Sequence, residues 1–135
     1  MAETPPEFFI DRSLGRKHLA NALTEQGVIV HTMASVYGED VAQGLVDEQW
    51  LTDAGAEGWI VLMKDDAIRR RPAERDVLAD AAVRAFCLTN ANLRASEQSD
   101  RFVGNLERIL RRAQTPGPYI YGVYDGYIKR LWPKS

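Results

Sequence analysis

The sequence predicts an α/β fold of three layers, in which helices cover both faces of a mainly parallel central sheet and a β-hairpin closes the C-terminus. Three observations predict it. Short apolar runs alternate with segments of helical periodicity, capping and breaking residues fall between the two kinds, and the last aromatic stretch turns back on Asp125-Gly126. Strands joined by helices must pair in parallel, because the crossover helix lies over the strands it connects.

The elements follow in order. Glu7 to Ile10 is a short apolar run ending at Asp11. Ser13 can cap a helix running to about Gln26, and Gly27 stops it before the β-branched run Val28 to Val30. After a glycine-containing loop, Val46, Trp50, Leu51 and Ala54 fall on one helical face, and Gly58 precedes a strand-like run from Trp59 to Met63. Pro72 suits the first turn of a helix carrying Glu74 to Ala82, and Ala85 to Leu88 is another apolar run. Phe102, Val103, Leu106, Ile109, Leu110 and Ala113 keep helical spacing until Pro116-Gly117-Pro118. Tyr119 to Tyr124 and Tyr127 to Trp132 then flank the two-residue turn.

A chain of 135 residues, 45% hydrophobic and 27% charged, is long enough for one real core and too short for two, so a single domain is expected over residues 1–135. No apolar run reaches the roughly 18 residues of a membrane span. The opening MAETPPEFF carries acid where a signal peptide carries base, so a cytoplasmic location is expected. The lone Cys87, between Phe86 and Leu88, reads as a small buried hydrophobe. Net charge is only −2, but the ends differ. Residues 1–60 hold three basic and ten acidic side chains, and residues 101–135 hold seven basic and two acidic. Brought together, they would make an acidic pocket with a basic rim, although the same distribution also fits ordinary surface charge.

In parallel sheets ligands bind beyond the carboxyl ends of the strands. Asp11 directly follows Phe8-Phe9-Ile10, and Asp65-Asp66 directly follows the run from Trp59 to Lys64. Asp47 and Glu48 open the helix that carries Trp50 and Leu51, where its N-terminus points toward the same edge. Acids converging from separate segments repel unless a cation lies among them, and carboxylate oxygens suit Mg²⁺ or Mn²⁺. Each acid also has a plainer explanation, since a strand-end Asp can close an Asx-turn or cap the next helix.

These residues carry a resemblance. Phe8-Phe9-Ile10-Asp11, the acid-headed Asp47-Glu48-Gln49-Trp50-Leu51 and Ile60-Val61-Leu62-Met63-Lys64-Asp65 resemble the ordered acidic motifs of PIN-like domains, most closely the compact bacterial VapC toxin group. Ile68-Arg69-Arg70-Arg71-Pro72 and the terminal hairpin are similar to that group as well. The resemblance implies a metal-dependent endoribonuclease with Mg²⁺ or Mn²⁺ held by Asp11, Asp47 and Asp65, which would be both its metal ligands and its catalytic residues. It also implies a cognate antitoxin that covers the pocket, and a homodimer. Two departures stand out: Met63 replaces the Thr or Ser that many members carry before the last acid, and the usual acid on an intervening helix has no clear counterpart. Glu48 and Asp66 are the candidates to complete the set. Arg12, Lys64, Arg69, Arg70 and Arg71 are available to hold RNA phosphates, though the three consecutive arginines equally fit a solvated turn.

Two other readings stay open. Asp11 and Asp65 at strand ends, with Thr89 at a third, also resemble receiver-type phosphoacceptor domains. Against that stand Asp11-Arg12 where paired acids belong, Gly and Tyr where a lysine belongs, and a hairpin in place of a closing helix. A catalytically inactive RNA-binding domain of the PIN-like fold is the other. His18 and His31, 13 residues apart with no cysteine nearby, do not suggest zinc and read as surface or packing residues. Tyr119, Tyr121, Tyr124, Tyr127 and Trp132 could stack bases, but alternation in a hairpin favours packing.

Overall fold

A computed structural model describes residues 6–14, 17–64, 71–90 and 92–133. Six strands form one sheet: β1 (Glu7–Ile10), β2 (Ile29–Thr32), β3 (Ile60–Lys64), β4 (Arg84–Leu88), β5 (Tyr119–Tyr124) and β6 (Tyr127–Trp132). Their order is β2-β1-β3-β4-β5-β6, with every pairing parallel except the β5–β6 hairpin. The helices are α1 (His18–Glu25), α2 (Met33–Tyr37), α3 (Glu39–Gly44), α4 (Asp47–Glu57), α5 (Pro72–Asp80), α6 (Ala95–Gly104) and α7 (Leu106–Arg112). None among the described residues is long and apolar enough to cross a membrane.

The central strands β1, β3 and β4 are apolar except at their ends, at Glu7, Lys64 and Arg84, because both faces of the sheet are covered. Alternation sends successive side chains to opposite layers. Phe8, Ile10, Leu62, Phe86 and Leu88 pack with Leu23 of α1, Phe102 of α6 and Ile109 of α7. Phe9, Val61, Met63, Ala85 and Cys87 pack with Trp50 and Leu51 of α4 and Leu78 of α5. This is the three-layer α/β/α arrangement expected. Cys87 is buried, as its apolar neighbours suggested.

Several boundaries differ from the expectation. Ser13 does not cap a long helix: it lies in a 3₁₀ turn, Arg12–Leu14, and α1 begins only at His18. The stretch read as a loop before Val46 contains α2 and α3, the former opened by a reciprocal capping box between Thr32 and Ser35. Helices this short show little periodicity, so their caps were the legible signal. The long C-terminal helical pattern divides at Asn105. Its buried side chain donates to the carbonyls of Arg101 (2.9 Å) and Tyr124 (2.7 Å), tying the break to the end of β5. Gly58, with φ +75°, ends α4 in the left-handed conformation. At Gly55 an added Cβ would meet the Ala81 backbone, so this glycine lets α4 lie close against the end of α5.

Candidate active site

The carboxyl edge of the sheet is where the sequence placed its acids. The Asp11 backbone N–H donates to the Leu62 carbonyl (3.0 Å) and its own carbonyl accepts from Leu14 (3.1 Å), so its main chain is held between β3 and the 3₁₀ turn. The carboxylate is fixed as well. Ser13 Oγ donates to Asp11 Oδ2 (2.8 Å), and the same hydroxyl accepts from the Lys64 backbone N–H (3.3 Å). Ser13 therefore links the ends of β1 and β3.

Burial raises the Asp11 pKa above the ordinary 3.8, and the negative charge of Asp47 raises it further, against the lowering effect of Ser13 and Arg12. A half-buried carboxylate facing a second acid is a place where positive charge is missing. Asp47 and Glu48 stand in the first turn of α4, both half-buried. Asp47 Oδ1 accepts a hydrogen bond from the indole Nε1 of Trp50 (2.9 Å). Trp50 is fully buried and stacks on Phe9 at 5.5 Å, so the donor holding Asp47 is part of the core.

Sequence reasoning missed a further acid. Glu74 lies in the first turn of α5, and its pKa is raised by burial, then by Asp47, with Glu48 adding to the effect and Arg71 opposing it. It thus stands within electrostatic reach of both acids of α4, in the place where an intervening helix acid had no evident counterpart. The signal was present in Pro72-Ala73-Glu74, a first-turn proline followed by an acid. Helices α4 and α5 both begin at the carboxyl edge, because each runs back across the sheet to the next strand. Their N-terminal dipole ends favour anions at this edge.

Asp65, Asp66, Arg69 and Arg70 lie outside the described residues. Among those described, no group of three acidic, histidine or cysteine side chains is placed to hold a metal ion. Asp11 and Glu74 are nonetheless oxygen donors whose pKa values are raised by burial and then by the charge of Asp47, and a hard divalent cation would relieve that repulsion.

Among the described residues, the expected basic rim divides between structural contacts and half-buried side chains. The Arg12 guanidinium donates to the carbonyls of Gln43 (3.0 Å) and Leu45, so it ties the α3–α4 connection to the end of β1. Arg71 pairs with Glu74 at 3.4 Å, and Lys64 is half-buried at the end of β3. Beside Asp11 opens a cavity of about 630 Å³, with Ile10, Thr32, Met33, Ala42 and Gln43 in its walls. Met63, 1% exposed, belongs to the core layer of Trp50 and Cys87 and does not enter the crevice. A hydroxyl does reach Asp11, but it comes from Ser13.

The two histidines are engaged away from this edge. His18 Nδ1 lies 2.7 Å from Ser99 Oγ, while His31 stacks on Trp59 (4.2 Å) with Nε2 2.7 Å from Glu7. Tyr119 is buried and Tyr121 packs against the α6–α7 side of the core. Tyr124 and Tyr127 belong to neither core layer.

The profile of the family described as PIN like domain matches residues 6–90, which include Asp11, Asp47 and Asp65. The chain belongs to the PIN-like domain family. Its similarity to the protein named "Putative ribonuclease VapC45" of Mycobacterium tuberculosis is 37% identity over 123 residues, covering 91% of this chain and 89% of that relative. No solved structure matches. With a PIN-like domain identified, the receiver reading falls: the matching parallel strand order is a feature both folds share, and the family match and antiparallel hairpin separate them.

Proposed function

We propose that the protein is an endoribonuclease that hydrolyses RNA phosphodiester bonds with a divalent cation, and that it is the toxin of a toxin–antitoxin pair. The observation that carries this reading is that Asp47 lies within electrostatic reach of Asp11 on one side and of Glu74 on the other, at the carboxyl edge of a PIN-like sheet, in a chain similar along nine-tenths of its length to a protein named as a ribonuclease. In this reading Mg²⁺ or Mn²⁺ is held by Asp11, Asp47 and Asp65, with Glu48, Asp66 and now Glu74 available to complete the set. When bound, the cation supplies charge stabilisation at the phosphate and a water of lowered pKa.

The chain's own groups do the rest. Ser13 holds the Asp11 carboxylate in one orientation, and the Trp50 indole does the same for Asp47. These two hydrogen bonds favour one orientation for each acid before substrate arrives. Lys64 and Arg71, with Arg69 and Arg70, are the cations available to phosphates. Arg12 acts instead by fixing the segment that leads into α4. Single-stranded or looped RNA suits an open edge of this kind, since its bases are accessible. A cognate antitoxin would cover the acidic crevice, the toxin would form a homodimer, and both would act in the cytoplasm.

The test is cleavage of a mixed pool of structured RNAs by purified protein, with Mg²⁺ or Mn²⁺ and with chelator, for wild type, Asp11→Asn, Asp65→Asn and Glu74→Gln. Metal-dependent cleavage by the wild type, lost in the two aspartate variants while folding is retained, is expected. RNA binding without cleavage under every condition would replace this reading with the inactive RNA-binding one.

A further inference from the structure

The five aromatic residues of the C-terminal hairpin divide sharply in the folded protein. Tyr119 and Tyr121 pack into the core, and Leu131 and Trp132 lie against the opposite layer. Tyr124 and Tyr127, which flank the turn, stack on each other with centroids 4.7 Å apart and planes inclined by 12°. They do so outside the core, and Tyr127 is 53% exposed. An aromatic pair that lies outside both core layers, with one ring exposed, needs another reason to be there.

The position of the pair supplies one. Lys64, Leu88, Val123 and Ile128 are cross-strand partners, so the next residue outward on β5, Tyr124, stands level with the positions just past β3 and β4. Tyr124 pairs with Tyr127 directly. The rings therefore sit on the same edge as the acids. With strands about 4.8 Å apart, β5 and β6 lie roughly 14 and 19 Å from β1, which ends at Asp11, along that edge, a span of a few nucleotides of extended strand.

The platform is also built to stay in place. The Tyr124 ring folds back over Gly122, where an added Cβ would come within 2.8 Å of it. The Tyr124 carbonyl accepts from the buried Asn105 side chain, whose Oδ1 faces the Arg108 guanidinium at 3.4 Å. Lys129 shares the face of Tyr127, two residues along β6, and is exposed. Aromatic rings with nearby cations are what a single-stranded nucleic acid takes hold of, through base stacking and phosphate attraction.

We propose that Tyr124 and Tyr127 form a base-stacking subsite for single-stranded RNA, holding a nucleotide a few residues away from the bond placed at the acidic crevice. Tyr127 offers the outer ring face, Tyr124 backs it, and Lys129 and Arg108 attract the neighbouring phosphates. The proposal rests on RNA being the substrate of the strand-end site, and it assigns the side of that site toward which the strand runs: across β4 to the hairpin.

The experiment measures binding of fluorescently labelled single-stranded RNA, about a dozen nucleotides long, to the full chain in an Asp11→Asn background that prevents cleavage. Tyr127→Ala is expected to weaken binding roughly 10- to 100-fold, the loss of one base–aromatic stack. Tyr127→Phe keeps the ring and should bind within about twofold of the parent. A 2-aminopurine base moved along the RNA should be quenched most at one position, and that quenching should vanish in Tyr127→Ala. Equal affinity for the alanine variant and its parent, or 2-aminopurine quenching unchanged in it, overturns the subsite. The nuclease reading is judged apart, by cleavage with the unmodified chain. Cleavage together with Tyr127-independent binding leaves the nuclease and removes the subsite, whereas Tyr127-dependent binding without cleavage by any sample does the reverse.

Discussion

Replacing Trp50 with phenylalanine separates the two roles its side chain has. The phenyl ring can keep most of the stack on Phe9, but the indole N–H that Asp47 Oδ1 accepts at 2.9 Å is gone. A hydrogen bond to a charged group is worth about 1.5–3 kcal/mol. Asp47 is half-buried and can turn to water, so the lower end applies, and the space left by the smaller ring adds about 1 kcal/mol. The expected loss is about 2.5–3 kcal/mol. Unfolding entropy for 135 residues is about 0.28 kcal/mol/K, so the melting temperature should fall by about 9–11 °C. A core deletion on the other face, Phe86→Leu, serves as the control because it removes packing without touching any acid. Melting with and without Mn²⁺, and the Mn²⁺ concentration giving half-maximal RNA cleavage, are the measurements. Trp50→Phe should raise that concentration several-fold, whereas Phe86→Leu should lower stability and leave it unchanged. If both variants shift the half-maximal concentration equally, or neither does, Trp50 is a core residue only and the argument that it orients Asp47 is refuted.

Two more predictions follow from groups whose titration the fold alters. The Asp11 pKa is raised above 3.8, so the folded metal-free protein binds a proton there more readily than the unfolded chain does. As pH falls through that raised value toward 3.8, wild type should gain stability relative to Asp11→Asn, which has no proton to take up; parallel stability-against-pH curves for the two would contradict the assignment. The same substitution should abolish stabilisation by Mn²⁺. Tyr119 lies at the other end of the sheet, with its hydroxyl donating to the carbonyls of Arg112 (2.8 Å) and Thr115 (3.0 Å), and burial pushes its pKa up from 10.0 to about 12. Its contribution is complete below pH 10 and should disappear as pH rises through about 12. Tyr119→Phe should cost about 1 kcal/mol at neutral pH and flatten the alkaline limb, read by denaturant unfolding across that range.

The candidate site was legible in the sequence to the extent that its residues sit at element boundaries. Asp11 and Asp47 could be found because an apolar run ends before the first and a helical face begins after the second. Glu74 was overlooked because nothing near it in the chain names its neighbours. Asp47 and Glu48 are 26 residues or more away, and only the side-by-side packing of α4 and α5 brings them within reach. The acceptors of Arg12 were out of sight for the same reason. A basic residue beside an acid at a strand end suggests a phosphate ligand, yet its acceptors are the carbonyls of Gln43 and Leu45, more than 30 residues on.

By itself the sequence determined the α/β alternation, the parallel order implied by crossover helices, the hairpin at Asp125-Gly126 and the strand-end acids. Those are properties of local periodicity and of a chain that must bury both faces of a sheet, so short stretches of residues are enough to specify them. Only the tertiary structure decided that Ser13 bridges Asp11 to β3, that a core tryptophan holds Asp47, that Met63 turns away into the core, and that two of the five hairpin aromatics stand outside it. Each depends on which of two sheet faces or which of several adjoining elements a side chain meets. That choice is made by packing among segments distant in the chain, where no local pattern records it.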